Sequence, residues 1–181
     1  MTGQADLGEL GTLVRARAAR AGSTRVLAID GLSGSGKSTL AARLAAGLGA
    51  PLVSLENLYG GWDGLEHGID LLVTEVLEPL AAGKTAYVPS YDWVSESWRE
   101  PVPLPPQELV IVEGVGAGAR RAARYESLIV WLAAPLAVRK KQALERDGQS
   151  YLPHWDRWAR QEEAMLARER TPERADVVLT G

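Results

Sequence analysis

A phosphate-binding motif near the amino terminus constrains this chain more than any other feature of its sequence. Residues 31–38 read GLSGSGKS, a complete G-x-x-x-x-G-K-[ST] pattern. Its glycines let the backbone curl so that successive amide groups point at an anion. Lys37 is placed to reach the β- and γ-phosphates of a nucleotide, and the hydroxyl of Ser38 is placed to hold Mg²⁺. The motif therefore predicts a nucleoside triphosphate site, with ATP and Mg²⁺ as the expected cofactors.

The residues on either side of the motif supply the strand and the helix that such a loop requires. Val26–Ile29 is an apolar run of the buried-strand type, and residues 38–46 favour a helix. This order places bound phosphates at a helix amino terminus, where unpaired amide groups and the helix dipole attract anions. We expect these residues to contact the nucleotide: Gly31, Ser33, Gly34, Ser35, Gly36, Lys37, Ser38 and Thr39.

The composition is that of an ordinary globular domain. With 181 residues the chain suffices for one domain with a sizeable core, expected to cover 1–181. Cysteine is absent, so neither a disulfide framework nor a thiolate metal site is expected. A net charge of −3 gives no reason to expect nucleic acid as a partner. There is no signal-peptide pattern and no apolar stretch long enough to span a bilayer, which predicts a cytoplasmic protein without a membrane partner.

Apolar periodicity predicts alternating strands and helices along the chain. Predicted strands cover about 24–30, 52–55, 109–112, 127–132 and 175–179. Predicted helices cover 6–21 (within an amino-terminal segment 1–22), 37–48, 69–82, 117–123, 135–147 and 155–170. The proline-rich residues 84–107 are expected to be irregular, apart from an extended piece at 85–89. This alternation predicts an α/β fold with a mostly parallel five-stranded sheet and helices on both faces.

Three acidic residues end or directly follow predicted strands, at the edge where the ligand sites of parallel sheets lie. Glu113 ends the apolar run 109–112, and a carboxylate there can hold a water bound to Mg²⁺. Asp30 directly precedes the phosphate loop and is expected to cap or pack it rather than join the metal shell. Glu56 directly follows strand 52–55. A carboxylate at the end of the strand beside the first strand is suitably placed to accept a proton from an acceptor hydroxyl.

Aromatic and basic side chains supply the remaining candidates. Several aromatic residues lie in the irregular segments, where they either stack on a planar substrate or cover the core: Tyr59, Trp62, Tyr91, Trp93 and Trp98. Arg146 stands near the end of helix 135–147, before a short polar segment. A basic residue on a mobile lid stabilises the charge of a transferring phosphoryl group. We therefore expect Arg146 to act from a short lid at 146–153.

Several of these segments together resemble the uridine/cytidine kinase family, which belongs to the same kinase group as phosphoribulokinase. Residues 56–59 (ENLY) and 112–114 (VEG) are similar to two family motifs that follow the phosphate loop. The most specific similarity joins GKT at 83–85 and PSYDWVSES at 89–97 to the family pattern G-K-T…P-x-Y-D-F-x-x-H-S. The resemblance implies a P-loop NTPase three-layer sandwich. It also implies an ATP- and Mg²⁺-dependent kinase that phosphorylates the 5′-hydroxyl of a nucleoside bound by residues 56–107.

The resemblance further implies roles for individual residues. Glu56 would be the base that activates the acceptor hydroxyl, Tyr91 and Trp93 would line the base site, and Asp63 would bind the ribose hydroxyls. The family aspartate is replaced by Glu56, and the family histidine that reads the pyrimidine is replaced by Glu96. Because a carboxylate only accepts hydrogen bonds, Glu96 favours groups that donate, such as an exocyclic amine. These replacements predict a divergent member whose acceptor is a nucleoside or a similar small alcohol.

The sequence is also compatible with two other functions. A nucleoside-monophosphate kinase of the cytidylate type also suits residues 29–37 (IDGLSGSGK). Such an enzyme needs arginines for the acceptor phosphate, whereas residues 56–107 contain only Arg99. A regulatory ATPase would keep the nucleotide site and have no small acceptor. For the kinase interpretation we expect three catalytic residues: Lys37, Glu56 and Arg146.

Overall fold

A five-stranded parallel sheet forms the centre of the protein. The computed structural model describes residues 7–180, and for 146, 147, 149 and 150 it describes the backbone alone. In chain order, the strands of the described residues are β1 (Arg25–Asp30), β2 (Leu52–Ser54), β3 (Ala86–Asp92), β4 (Ser97–Leu104), β5 (Leu109–Glu113), β6 (Leu128–Ala133) and β7 (Val177–Thr180). β3 and β4 form a separate pair. The sheet has the order β2-β5-β1-β6-β7, and all its pairings are parallel. The predicted five-stranded sheet is confirmed.

Helices cover both faces of this sheet, so the predicted three-layer α/β architecture is also confirmed. They are α1 (Leu7–Ala16), α2 (Lys37–Leu48), α3 (Leu65–Leu71), α4 (Glu78–Ala81), α5 (Arg120–Ala123), α6 (Leu136–Tyr151), α7 (Trp155–Glu169) and α8 (Thr171–Arg174). Between α3 and α4 the helical path widens into π-helical turns at Leu72–Leu77. No helix within residues 7–180 is both long and apolar enough to cross a membrane.

Side chains alternate along β1, so the sheet contributes to a separate hydrophobic core on each face. Leu27 and Ile29 pack in the core that includes α1 and α2. Val26 and Ala28 pack in the core that includes α3, α4 and α7. All four side chains are fully buried. This two-sided burial explains why β1 has a continuous apolar sequence rather than alternating apolar and polar residues.

The prediction of an irregular segment at 84–107 is wrong over most of its length. β3 and β4 form an antiparallel pair in which Ala86 faces Leu104 and Asp92 faces Ser97. The register shifts between Val88 and Ser90, on either side of Pro89. In a two-stranded sheet each strand is an edge strand, so a proline can turn its missing donor away from the ladder. Proline content therefore did not indicate the absence of strands here.

Several helix boundaries and one strand position also differ from the predictions. α1 ends at Ala16 rather than at 21, and the chain turns back where Ala21 and Thr24 exchange backbone hydrogen bonds. α3 begins at Leu65 rather than at 69, because the fully buried Leu65 already belongs to the core. β2 pairs with β5, and β5 separates it from β1. Glu56 follows β2 and not the strand beside β1, so the predicted adjacency is wrong.

Candidate active site

The phosphate loop connects β1 to α2, as its motif predicts. Gly36 has a φ of 92°, and α2 begins at Lys37 with no side-chain cap. The first amides of α2 thus remain available to an anion. Gly34 has a φ of 76°, and a Cβ at this position would clash with the backbone carbonyl of Arg139 on α6. This close approach and the left-handed backbone both require glycine at position 34.

Asp30 lies beneath the phosphate loop and holds it to the loop after β5. Its Oδ1 accepts hydrogen bonds from the amides of Gly31 at 2.7 Å and Gly116 at 2.9 Å. Its Oδ2 accepts one from the amide of Gly118 at 3.0 Å. The side chain is fully buried. The expectation that Asp30 packs the loop is therefore confirmed. Burial raises its pKa from 3.8 to about 6, against the opposing effect of these three amides.

The raised pKa of Asp30 predicts a specific pH dependence of stability. The native state takes up a proton on Asp30 near pH 6, whereas the unfolded chain takes it up near pH 3.8. The contribution of Asp30 to the free energy of unfolding therefore rises as the pH falls through 6, by about 1 kcal/mol between pH 7 and pH 5. Urea unfolding of the wild type and of Asp30→Asn at both pH values measures this effect. We expect the wild type to gain stability relative to the variant at pH 5, and equal changes in both proteins would contradict the assignment.

Lys37, Ser38 and Glu113 lie together where the phosphate loop borders the larger of two cavities. The Ser38 hydroxyl donates to Glu113 Oε2 at 3.1 Å, and the Ser54 hydroxyl donates to Oε1 at 2.6 Å. Lys37 Nζ donates to the carbonyl of Leu32 at 3.4 Å and folds back over the loop. The described residues contain no cluster of three His, Cys, Asp or Glu side chains that could hold a metal ion by themselves. A hydroxyl and one carboxylate beside a phosphate site fit Mg²⁺, which shares its ligands with substrate phosphates and water.

Two cavities meet at the phosphate loop. One of about 690 Å³ and one of about 580 Å³ share Gly34, Lys37 and Ser38 as lining residues. The smaller cavity runs along the start of α2 and is also lined by Ser35, Gly36 and Thr39. Within the described structure the buried Ser35 hydroxyl has no hydrogen-bond partner. Ser33 lines the larger cavity, whereas Gly31 lines neither and lies next to Asp30.

The larger cavity brings together most of the predicted acceptor residues. Glu56, Tyr59, Trp93 and Glu96 all line it, together with Glu113. Trp93 Nε1 donates to the carbonyl of Glu56 at 3.0 Å, which fixes the hairpin against the turn after β2. The hydroxyl of Tyr59 donates to the carbonyl of Val115 at 3.0 Å. Burial, with the nearby carboxylates, holds the pKa of Tyr59 well above 10, so its ring forms a neutral wall.

Two predicted residues are not placed with the others. Asp63 is exposed and pairs with Arg157 on α7, whose guanidinium lowers the pKa of this carboxyl below 3.8. Tyr91 packs edge-on to Trp93 and Trp98, with ring centroids 5.6 Å and 5.2 Å apart. Neither Asp63 nor Tyr91 lines the larger cavity. The side chain of Arg146 lies outside the described residues, although the non-helical backbone of Gly148 interrupts α6 inside the predicted lid.

An aromatic wall from the end of α6 and from α7 completes the larger cavity. The ring of Trp62 stacks on His154 with centroids 4.4 Å apart and on Tyr151 at 5.3 Å. Trp158 packs edge-on to Tyr59 at 4.8 Å. Trp62 was a predicted candidate, but Tyr151, His154 and Trp158 were not. They lie almost a hundred residues after Trp62 in the chain, and only the folded sheet brings them to the same cavity.

A buried ion pair that holds the phosphate loop was not predicted from the sequence. Glu162 Oε1 accepts hydrogen bonds from the amide of Ser33 at 2.7 Å and from Trp158 Nε1 at 3.1 Å. Arg139 donates to the carbonyl of Ser33 at 3.1 Å and lies 3.9 Å from Glu162. α6 and α7 thus hold both backbone groups of Ser33. The spacing of Trp158 and Glu162, which puts them on one helix face, was the available signal.

This chain is similar to known kinases in sequence and to proteins described as kinases in fold. No protein-family model matches the chain. It is 34% identical over 134 residues to a cytidylate kinase from Pseudomonas aeruginosa (strain UCBPP-PA14), a match that covers 71% of this chain and 57% of that enzyme. A second cytidylate kinase, from Pseudomonas paraeruginosa, is 35% identical over 130 residues, covering 68% of this chain and 56% of the enzyme. The chain therefore spans little more than half the length of the curated relatives it matches.

Among solved structures, a protein from Bacillus stearothermophilus described as a possible uridine kinase superposes with a TM-score of 0.69. Its sequence is 23% identical, and the match covers 96% of both chains. A protein described provisionally as a fructose transport system kinase, from Silicibacter sp. TM1040, gives a TM-score of 0.61 at 23% identity, covering 98% of this chain and all of that one. The fold is that of the P-loop kinases. The resemblance to uridine kinase-like proteins is confirmed at the level of this fold.

Proposed function

We propose that this protein is an ATP- and Mg²⁺-dependent kinase that transfers the γ-phosphoryl group to a hydroxyl of a small acceptor. The observation that carries the proposal is the meeting of two cavities at Lys37 and Ser38. A nucleotide in the smaller cavity would present its terminal phosphate towards an acceptor in the larger one. A regulatory ATPase has no need for the second cavity. The uridine kinase-like fold makes a nucleoside the first acceptor class to test.

The residues around the loop account for most of the chemistry that phosphoryl transfer needs. The amides at the start of α2 and the ammonium group of Lys37 would hold the transferring phosphoryl group and stabilise its charge. Ser38 and Glu113 would hold Mg²⁺, which when bound neutralises charge on the phosphate oxygens. The hydrogen bonds of Glu162 and Arg139 to the backbone of Ser33 would hold the phosphate loop in its conformation before the substrates bind. Catalysis would then depend mainly on positioning and electrostatics.

Glu56 is the proposed general base in the larger cavity. Its carboxylate would accept a hydrogen bond from the acceptor hydroxyl, orient the oxygen towards the phosphoryl group and take up the proton. Glu56 stands in the turn directly after β2, at the carboxyl edge of the sheet. The hydrogen bond from Trp93 to its backbone carbonyl connects this turn to the hairpin. The side chain of Arg146, from the proposed lid, would add positive charge at the transferring group.

Release of ADP tests the proposal. We would measure ADP formation from ATP and Mg²⁺ with a panel of nucleosides, nucleoside monophosphates, sugars and small alcohols, with Lys37→Ala as the blank. We expect at least one unphosphorylated alcohol to stimulate ADP formation and to be recovered as a phosphate monoester. Slow ADP release that no acceptor changes, in a protein that binds ATP, would contradict the kinase proposal and favour the regulatory ATPase.

One observation supports a second candidate, a nucleoside-monophosphate kinase. The curated relatives are cytidylate kinases at 34% and 35% identity. Against this candidate, the larger cavity includes no arginine among its lining residues in the described part of the chain. Arginine side chains that donate two hydrogen bonds are the usual partners of an acceptor phosphate. The same panel decides between the two, because this candidate requires stimulation by a monophosphate and none by its nucleoside.

A further inference from the structure

Ser33, the third residue of the phosphate loop, is held by side chains from the second half of the chain. Its amide donates to Glu162 Oε1 at 2.7 Å, and its carbonyl accepts from Arg139 at 3.1 Å. Its hydroxyl oxygen accepts a hydrogen bond from Trp158 Nε1 at 3.0 Å. The amide, the carbonyl and the hydroxyl of Ser33 thus all contact α6 or α7. These contacts fix both its backbone and its side chain.

The side chains that hold Ser33 are themselves buried. Arg139, Trp158 and Glu162 are 8%, 4% and 2% exposed. The ring of Trp158 packs edge-on to Tyr59, and its N–H is shared between Ser33 Oγ and Glu162 Oε1. A buried hydrogen-bond network of this kind holds one geometry, because water does not replace a lost partner. Trp158 therefore sets the position of the Ser33 hydroxyl.

The place of Ser33 in the loop determines which part of a nucleotide it would meet. Ser33 lines the larger cavity and not the smaller one along α2. Gly34, which follows it, and Lys37 line both cavities. Under the proposed function the terminal phosphate lies where the two cavities meet. Ser33 would then stand beside the terminal phosphate, at the end of the nucleotide that faces the acceptor.

The hydroxyl is the group that Ser33 can offer to a phosphate in this conformation. Its amide proton is already directed at the Glu162 carboxylate. A hydroxyl that accepts a hydrogen bond can still donate its own proton. Because Trp158 Nε1 can only donate, its contact with Ser33 Oγ directs that proton towards another acceptor. A phosphate oxygen is such an acceptor, and its charge makes the hydrogen bond stronger than one between neutral groups.

We propose that Trp158 positions the Ser33 hydroxyl to donate to the terminal phosphate of the nucleotide, and that this contact favours a triphosphate over a diphosphate. This inference rests on the proposed kinase function and deepens it. Ser33 would contact the phosphate itself, whereas Trp158 would act through Ser33 as a positioning residue. Glu162 and Arg139 would hold the backbone of Ser33 while its hydroxyl binds the phosphate.

Binding of the non-hydrolysable ATP analogue AMP-PNP, compared with binding of ADP, tests the inference without turnover. Both affinities of the full chain would be measured by calorimetric titration in the presence of Mg²⁺. We expect the wild type to bind AMP-PNP more tightly than ADP. Ser33→Ala should lower the ratio of the two affinities about tenfold, a typical effect of losing a hydrogen bond to a charged group. Trp158→Phe, which keeps an aromatic ring and changes no charge, should lower the ratio by a similar factor.

Trp155→Phe is the matched control, because Trp155 is also a buried tryptophan of α7 and lines neither cavity. We expect this variant to retain the ratio of the wild type. Combining Ser33→Ala with Trp158→Phe should lower the ratio no further than either change alone, since both changes remove the same contact. Thermal unfolding would show that the variants are folded.

Equal binding of AMP-PNP and ADP by the wild type would overturn the inference. Equal weakening of both nucleotides by Trp158→Phe, or additive losses in the double variant, would overturn it as well. ADP formation with the acceptor panel separates this inference from the kinase proposal. Phosphorylation of an acceptor, with an unchanged ratio in Trp158→Phe, would keep the kinase and reject the positioning role. A lower ratio in a protein that phosphorylates no acceptor would support the positioning role and reject the kinase.

Discussion

Replacing Lys37 with alanine is expected to lower ADP formation at saturating ATP by about 10³-fold. Lys37 is 7% exposed and lines both cavities, so its charge lies where the phosphoryl group would pass between them. Loss of one preorganised charged donor at a developing anion typically costs two to three orders of magnitude. The measurement is steady-state ADP formation with the best acceptor of the panel.

Lys141→Ala is the matched control for this prediction. Lys141 is an exposed lysine on α6 that pairs with Glu145, one turn further along the helix, and it lines neither cavity. We expect its activity to stay within about twofold of the wild type, because an exposed pair of this kind contributes little. Thermal unfolding of both variants would show that they are folded. Retention of normal turnover by a folded Lys37→Ala protein would rule out phosphoryl transfer at this loop.

The parts of the fold that were predicted correctly have local causes. The phosphate loop lies between an apolar run and a helix-forming run, and each of these depends on residues close in sequence. The central strands are buried on both faces and therefore appear as apolar runs such as 109–112. Glu113 at the end of this run contacts Ser38 as its position suggested. Short-range patterns were sufficient because strand, loop and helix follow one another directly.

The lining of the larger cavity could be predicted only in part, since it comes from separate regions of the chain. Trp62 meets Tyr151 and His154 through packing that no sequence spacing encodes. The hairpin was missed because proline usually argues against strands, yet an isolated two-stranded sheet tolerates it. Asp63 was assigned to the acceptor by resemblance, and in the structure it pairs with Arg157. A role as a ribose ligand would require that ion pair to break.

Glu56→Gln is expected to lower kcat by about 10²- to 10⁴-fold and to leave ATP binding nearly unchanged. Glutamine keeps the size of the side chain and its ability to accept a hydrogen bond, but it cannot take up the proton of the acceptor hydroxyl. Glu56 lines the larger cavity and not the smaller cavity along α2, so the nucleotide should bind as before. The measurement pairs kcat for the best acceptor with the affinity for ATP.

Glu100→Gln provides the comparison for this last variant, because Glu100 is an exposed glutamate on β4 that lines neither cavity. A kcat that falls in Glu56→Gln and not in Glu100→Gln would identify the carboxylate after β2 as the group that activates the acceptor. A Glu56→Gln protein with kcat within about twofold of the wild type would show that positioning of the acceptor alone supports the reaction. Phosphoryl transfer through a loose transition state needs little proton removal early in the reaction, so this comparison separates base catalysis from positioning.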